Sequence, residues 1–282
     1  MKVLITGARG FVGKHLTEYL GVDNEILATA RRKDLDNIEY LDLSSDKSVT
    51  SFIESHVNDD IEAVVHTAAV FADAQMTFDE QMQVYEQNVG IARNMVKLIQ
   101  GIGIKVLINL STMAVYPNED GEYSEKSEVR MSVNSECFYG LSKFVAENIF
   151  SFALSKDVRI VHLRLAQIYG RGMRNDRIIP TMINGLKREN RIIVFGDGKR
   201  TSNFVPIEKV CEVIKSILAD RSIHGIYNIG NVNISYLELA MTIKEKYGNK
   251  DTQIVLKEQG SKARFVLNTD KWDKYWRLRD VL

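Results

Sequence analysis

The chain lacks an excess of charge of either sign: its 282 residues hold 37 Lys and Arg against 37 Asp and Glu. A balanced surface offers no electrostatic footprint for a nucleic acid or an anionic membrane, so neither partner is expected. Cysteine is nearly absent as well, with only Cys137 and Cys211 and no C-x-x-C pair. That excludes a disulfide scaffold and fits a reducing compartment, so a cytoplasmic location is expected. No apolar run approaches the roughly 20 residues that a membrane span requires. A signal peptide is not expected, because an apolar strand pattern begins at Lys2 and leaves it no room. Asn109-Leu110-Ser111 and Asn233-Ile234-Ser235 match the glycosylation triplet, which a chain that is not secreted would not use. Internal repeats and low-complexity segments are missing too, and no metal site is read.

What is present is alternation. Short apolar strand patterns at Lys2–Thr6, Glu25–Ala30, Glu62–His66, Lys105–Leu110 and Val158–Leu163 alternate with helical patterns near Gly10–Leu20, Lys47–Val57, Met76–Gly101 and Cys137–Ser155. Val3-Leu4-Ile5 and Val106-Leu107-Ile108 are apolar at every position, as a parallel sheet covered on both faces demands. The pattern predicts an α/β fold, a Rossmann-type doubly wound parallel sheet. After about Gly170 the rhythm breaks. We expect a dinucleotide-binding domain over 1–170 and a smaller, discontinuous substrate lobe over 171–282, some of whose segments return to the sheet.

The first strand runs into Gly7-Ala8-Arg9-Gly10-Phe11-Val12-Gly13, three glycines spaced G-x-x-G-x-x-G ahead of a helical pattern. Gly7 permits a tight turn, Gly10 leaves room for a pyrophosphate, and Gly13 allows close packing of helix on strand. The helix start then presents N–H groups and a partial positive charge to the phosphates. The Gly-Lys-Ser/Thr of a P-loop is absent. In NAD enzymes an acidic residue closes the second strand, about 20 residues past the glycines, to bind the adenosine 2′-hydroxyl. This chain has Ala28-Thr29-Ala30-Arg31-Arg32 there. Arg31 and Arg32, with Arg9 from the glycine turn, suit a 2′-phosphate, so NADP is favoured and NAD is the alternative. Read blandly, the two arginines are solvated loop charges.

Tyr139-Gly140-Leu141-Ser142-Lys143 places Tyr139 and Lys143 four residues apart, on one face of a helix. A free phenol titrates near 10, and each unit of lowering takes about 1.4 kcal/mol. An ammonium one turn away, with the positive charge of an oxidised nicotinamide, supplies part of that. Tyr139 then exchanges a proton with a hydroxyl or carbonyl near neutral pH. Asn109 to Tyr116 ends a strand with Ser111 and Thr112 at its carboxyl end, the edge where such sheets bind ligands, and Thr112 is read as a hydrogen-bond partner of the reacting oxygen. A lone Y-x-x-x-K is usually a surface pair; here it follows the glycine turn and the Ser-Thr strand end.

With these residues the chain resembles the extended short-chain dehydrogenase/reductases, in their nucleotide-sugar branch, the NAD-dependent epimerase/dehydratase family. The likeness runs over nearly the whole length. T-G-x-x-G-x-x-G matches Thr6 to Gly13, and the D-L pair that holds the adenine matches Asp42-Leu43. H-x-A-A matches His66-Thr67-Ala68-Ala69, and N-x-x-G matches Asn88-Val89-Gly90 in part. Arg164 to Gly170, Phe195-Gly196-Asp197-Gly198 and Gly225-Ile226-Tyr227-Asn228-Ile229-Gly230 are similar to later family segments. The resemblance implies that Tyr139 is the acid/base, that Lys143 binds the nicotinamide ribose, and that Thr112 takes the family's Ser/Thr position. It also implies that Ala68, Ala69 and Asn88 line the cofactor. His66 reads as a strand-end histidine outside the chemistry.

Departures from the family pattern narrow the reading. Gln167 stands where the family has an Asn that contacts the sugar diphosphate, and Ser202-Asn203-Phe204 replaces R-D-F. The missing phosphate-binding arginine is replaced by Arg200 or Arg264, unless these are solvated charges. Met113-Ala114 stands where similar 4,6-dehydratases carry Asp-Glu, which argues against a dehydratase. The expected enzyme is a nucleotide-sugar ketoreductase or epimerase acting on a nucleotide-diphosphate sugar by hydride transfer at a sugar carbon. Alternatives are an epimerase that keeps NAD, a reductase of a non-sugar carbonyl, and a non-catalytic dinucleotide sensor. A homodimer is expected through a four-helix bundle, with Val84, Met95, Leu98, Phe144, Val145, Ile149 and Phe152 as its apolar residues.

Overall fold

A computed structural model describes the chain except residues 33–36, 73–74, 132–135 and 280–282 and the side chains of 276–279. In chain order the elements run β1 (Lys2–Thr6), α1 (Phe11–Leu20), β2 (Glu25–Ala30), β3 (Glu39–Tyr40), α2 (Asp46–His56), β4 (Ile61–His66), α3 (Phe78–Ile102) and β5 (Val106–Thr112). A 3-10 turn at Met113–Val115 leads to β6 (Gly121–Tyr123), α4 (Cys137–Ala153), β7 (Arg159–Leu165), β8 (Gln167–Tyr169), α5 (Ile178–Glu189), β9 (Arg191–Phe195) and β10 (Thr201–Pro206). The remainder is α6 (Ile207–Ala219), β11 (Gly225–Ile229), β12 (Val232–Ser235), α7 (Tyr236–Tyr247), β13 (Gln253–Lys257), β14 (Phe265–Leu267) and α8 (Asp270–Arg279). All five expected strands and four expected helices form, their ends within two residues of the pattern.

The chain divides into two compact units. The first comprises Met1–Pro117, Glu128–Leu165 and Ile207–Tyr227, so α6 and the start of β11 belong to it although they lie late in the sequence. Its seven-stranded sheet has the order β11-β7-β5-β4-β1-β2-β3, and the pairs from β7 to β3 are parallel. Val3, Leu4 and Ile5 are all fully buried, and successive strand residues point to opposite faces, so both faces are covered. Leu4, Val64 and Leu107 pack with Val49 and Phe52 of α2, Met95 and Leu98 of α3 and Phe150 of α4. Strand order reverses between β1 and β4, the switch point beside whose carboxyl ends α/β sheets bind ligands. Helix α3 starts on a capping box, Thr77 with Glu80, and ends on Gly103 in the left-handed region (φ 85°).

The second unit holds Asn118–Ser127, Ala166–Pro206 and Asn228–Leu282. Here β10 pairs antiparallel with β12 and parallel with β8, and two ribbons pair β13 with β9 and β14 with β6. Its core packs Met182 and Leu186 of α5, Ile192 and Val194 of β9, Phe204, and Leu239 and Ile243 of α7.

The apolar residues expected on a dimer face divide. Val84, Met95 and Leu98 are buried, the latter two in the core under the sheet, so they are not available to a partner. Phe144, Val145 and Ile149 are half-buried, and Phe152 is 93% exposed. The 3.6-residue period identifies an apolar stripe but does not say which stripe faces the sheet.

Candidate active site

Gly7 leaves β1 in the left-handed region (φ 70°), and a Cβ there would stand 2.9 Å from the Ala68 Cα, where the chain leaves β4. A Cβ on Gly13 would meet the Gly7 carbonyl oxygen at 2.3 Å, so only glycine lets α1 start this close to the turn. Gly10 is the N-cap of α1 and has no side chain to satisfy the N–H groups of the first turn, which Phe11 and Val12 open. Glycine in a left-handed turn, an uncapped helix start and the adjoining β4 exit fit a dinucleotide pyrophosphate. Arg9 is half-buried, as are Ala68 and Ala69 just past β4. Below them Thr6 Oγ1 is bonded to His66 Nδ1 at 2.9 Å, and Thr67 Oγ1 donates to the Thr6 carbonyl at 2.6 Å. Burial first, and the charge of Lys143 second, push His66 down to about 3, so it is neutral at physiological pH.

Arg31 and Arg32 are both exposed immediately after β2, and the next four residues lie outside the described chain. Asp42 accepts from the Ser44 N–H at 2.9 Å and the Ser44 hydroxyl at 2.6 Å, a turn leading into α2. Leu43 is buried, and its carbonyl accepts from Asn94 Nδ2 at 2.9 Å.

The β5 end and α4 meet closely. A Cβ on Gly140 would lie 2.3 Å from the Ala114 carbonyl oxygen, so the residue after Tyr139 lets the helix rest on the turn that follows Thr112. Thr112 Oγ1 accepts from the Ala114 N–H at 3.2 Å and keeps a hydroxyl proton to donate. Lys143 is 5% exposed; burial pulls it down to about 8, opposed by the Glu147 carboxylate, so it is still mostly protonated at pH 7.

Glu147 was not legible as a site residue, and Ser111, read only as a strand-end hydroxyl, is its partner. Glu147 accepts from Ser111 Oγ at 2.5 Å and from Arg164 at 2.7 Å (Nη2) and 3.1 Å (Nε). Arg164 Nη1 also donates to the Tyr116 hydroxyl at 2.9 Å. Burial alone would lower Arg164, but the Glu147 pair outweighs it and keeps the guanidinium charged. The only sequence signal was the spacing, since Tyr139, Lys143 and Glu147 continue one helical face.

Asn88 is turned inward. Its Oδ1 accepts from the Val70 N–H at 2.8 Å, and its Nδ2 donates to the Val70 carbonyl at 2.9 Å and to Ser142 Oγ at 3.1 Å. Ser142 Oγ in turn donates to the Tyr139 carbonyl at 2.8 Å. Asn88 thus ties the β4 exit to α4.

In the second unit, Gln167 Nε2 donates to Ser202 Oγ at 2.9 Å, so the two departures from the family pattern touch each other. The Arg200 guanidinium lies over the Tyr236 ring, 4.8 Å from its centroid, and its buried Nε has no hydrogen-bond partner among the described residues. Arg264 is exposed, forms a bridge with Thr201 and donates its N–H to Asp120 Oδ1 at 2.8 Å. Tyr139, Lys143, Thr112 and Asn88 therefore gather in the first unit, and Gln167, Arg200 and Arg264 belong to the second.

Curated relatives share this length of chain at modest identity. A dTDP-D-glucose 4,6-dehydratase of Dictyostelium discoideum is 27% identical over 266 residues, 86% of this chain; the chain spans 61% of that protein's length. An uncharacterised UDP-glucose epimerase of Bacillus subtilis is 26% identical over 272 residues, 89% of this chain and 84% of its own. Among solved structures, the UDP-glucuronic acid 4-epimerase of Bacillus cereus, in complex with UDP-glucuronic acid and NAD, superposes with a TM-score of 0.79. It is 21% identical and covers 97% of this chain and 92% of its own, a likeness of fold. The model of the NAD dependent epimerase/dehydratase family matches residues 3–230, from β1 to the end of β11. The chain belongs to that family of extended short-chain dehydrogenases/reductases.

Proposed function

We propose that the protein is a nucleotide-sugar oxidoreductase that moves a hydride at one sugar carbon, with ketone reduction as its net reaction. The observation that carries this is the buried ammonium of Lys143, one helical turn from Tyr139, on a helix that rests on the turn after Thr112. When bound, the dinucleotide supplies or accepts the hydride. Tyr139 exchanges the proton at the reacting oxygen, and Thr112 donates a hydrogen bond to that oxygen. Lys143 holds the nicotinamide ribose and stabilises negative charge on the phenol oxygen. Gly7, Gly10, Phe11, Val12, Gly13, Ala68 and Ala69 cradle the dinucleotide, with Asp42 and Leu43 at the adenine. Gln167, Arg200 and Arg264 contact the nucleotide-diphosphate sugar; the Nε of Arg200, without a partner among the described residues, supports its share. Met113 and Ala114 bring no carboxylate to the turn after Thr112, which speaks against water elimination.

We read the cofactor as NADP, supported by Arg31 and Arg32 exposed at the end of β2. A second reading, an epimerase that retains NAD, is favoured by the epimerase among the curated relatives and by the NAD in the solved 4-epimerase. We also propose a homodimer through the exposed faces of α3 and α4. Turnover on a panel of nucleotide-diphosphate sugars tests the function. Tyr139→Phe should lose at least about 100-fold in kcat, the share of general acid–base catalysis, while binding the dinucleotide as before. Near-normal turnover in that variant would overturn the assignment.

A further inference from the structure

Phe71 follows the β4 exit by a few residues, and its ring stacks on Tyr139 with centroids 5.1 Å apart and planes 29° from parallel. Nothing in the sequence pattern marks this residue. We infer that Phe71 is a positioning residue for Tyr139: a bracket built on Asn88 and Ser142 holds its ring against the phenol ring, fixing the phenol's direction and covering one of its faces.

The bracket is closed on both sides. Asn88 binds the backbone of Val70 through both its amide oxygen and its amide N–H, which fixes the residue before Phe71. The same Nδ2 reaches Ser142 Oγ, and that hydroxyl donates to the carbonyl of Tyr139. One buried amide therefore holds the backbone beneath both rings. Asn88 is 5% and Ser142 0% exposed, so water competes with neither bond.

The partner ring has the opposite character. Phe71 is 46% exposed, although a phenylalanine gains most by burial. Its ring contact with Tyr139 is specific. A stacked aromatic pair biases a side chain toward the stacked geometry by about 2- to 10-fold. A general acid–base group needs its oxygen within hydrogen-bond reach of the reacting proton, so a phenol that leaves its stacked position is lost to turnover. The ring also keeps bulk water from one face of the phenol. This consequence for turnover rests on Tyr139 being the proton-exchanging group; the stack itself does not.

Two measurements on Phe71→Leu, Phe71→Ala and Phe71→Tyr test it. The first needs no substrate: nitration of the ligand-free protein with tetranitromethane, with the rate at Tyr139 read by peptide mass spectrometry. Leu and Ala variants should nitrate Tyr139 at least about threefold faster, within the range set by stacking, while Phe71→Tyr stays at the parent rate. The second is steady-state kinetics. The Leu and Ala variants should lose about 3- to 10-fold in kcat with KM, dinucleotide affinity and melting temperature unchanged, and Phe71→Tyr should restore kcat. Equal Tyr139 nitration in the parent and Phe71→Leu would overturn the stack. A kcat loss that is the same for Leu and Tyr would overturn the positioning role, since keeping a ring at position 71 would then make no difference. A parent without turnover on nucleotide sugars would sink the functional reading instead, and nitration would still decide the stack.

Discussion

Lys143 shows what burial does to a residue that the sequence presents as a spacing. In the helix pattern it is one cation four residues after Tyr139; in the fold it is 5% exposed and held near 8. Glu147, one turn further, opposes that shift and is itself held by Ser111 and Arg164. The sequence could not expose this network, because Arg164 comes from β7 and Ser111 from β5. Asn88, expected at the cofactor, has its amide bonded to Val70 and to Ser142, partners 18 and 54 residues away that no spacing announces. Arg31 and Arg32 carry the prediction at this scale. Each charge-assisted contact to a 2′-phosphate contributes about 1.5–3 kcal/mol, so Arg31→Ala/Arg32→Ala should weaken NADPH tenfold or more and leave NADH nearly unchanged. Fluorescence titration of both cofactors against both proteins measures it. A parent that prefers NADH, or equal losses for the two cofactors, moves the reading to the NAD-retaining epimerase.

Helix α4 is the element on which the candidate site depends. Its apolar residues were legible, and so was its start, but its contact with the 3-10 turn was not. Gly140 is in a helix interior, where alanine is the better helix former by about 1 kcal/mol. Propensity alone predicts that Gly140→Ala stabilises. The structure predicts the reverse, because the added Cβ would stand 2.3 Å from the Ala114 carbonyl oxygen, a backbone atom that cannot swing aside. The helix must lift from the turn, carrying Tyr139 and Lys143 away from Thr112. We expect a melting temperature several degrees lower and a kcat loss of at least about tenfold. A more stable variant with intact turnover would show that α4 does not bear on the turn.

The protein as a whole should be sensitive to acid. Burial holds His66 at about 3 and His162 at about 4, whereas an unfolded histidine titrates near 6.5. Between pH 6.5 and about 4 the unfolded chain takes up protons that the folded chain refuses. The stability these residues contribute is therefore complete above pH 6.5 and is lost as pH falls, by about 1.4 kcal/mol per unit for each histidine. Lys143 acts in another window: its lowered folded value adds stability as pH rises from about 8 to 10.5. Urea midpoints at pH 7 and pH 4.5 should differ, and His162→Gln should narrow the gap; identical midpoints would contradict it. Assembly is the second prediction here. If the exposed Phe78 and Phe152, 67% and 93% exposed, meet a second copy, light scattering at micromolar concentration gives twice the 32.1 kDa of the chain. A monomer at that concentration rejects the dimer.

Local pattern determined the elements of the first unit: apolar runs covered on both faces, 3.6-residue periods between them, and a glycine turn that permits one kind of backbone. These depend on near neighbours, so the glycine turn at Gly7, Gly10 and Gly13 and the helix that carries Tyr139 and Lys143 were readable from spacing. Tertiary structure alone decided what distant segments do to one another. It placed α6 and the start of β11 in the first unit, turned Val84, Met95 and Leu98 into its interior, joined Gln167 to Ser202, and set Phe71 on Tyr139. The physical reason is that burial and hydrogen bonding across strands set which partner a side chain finds, and residues dozens of positions apart leave no period by which to read it.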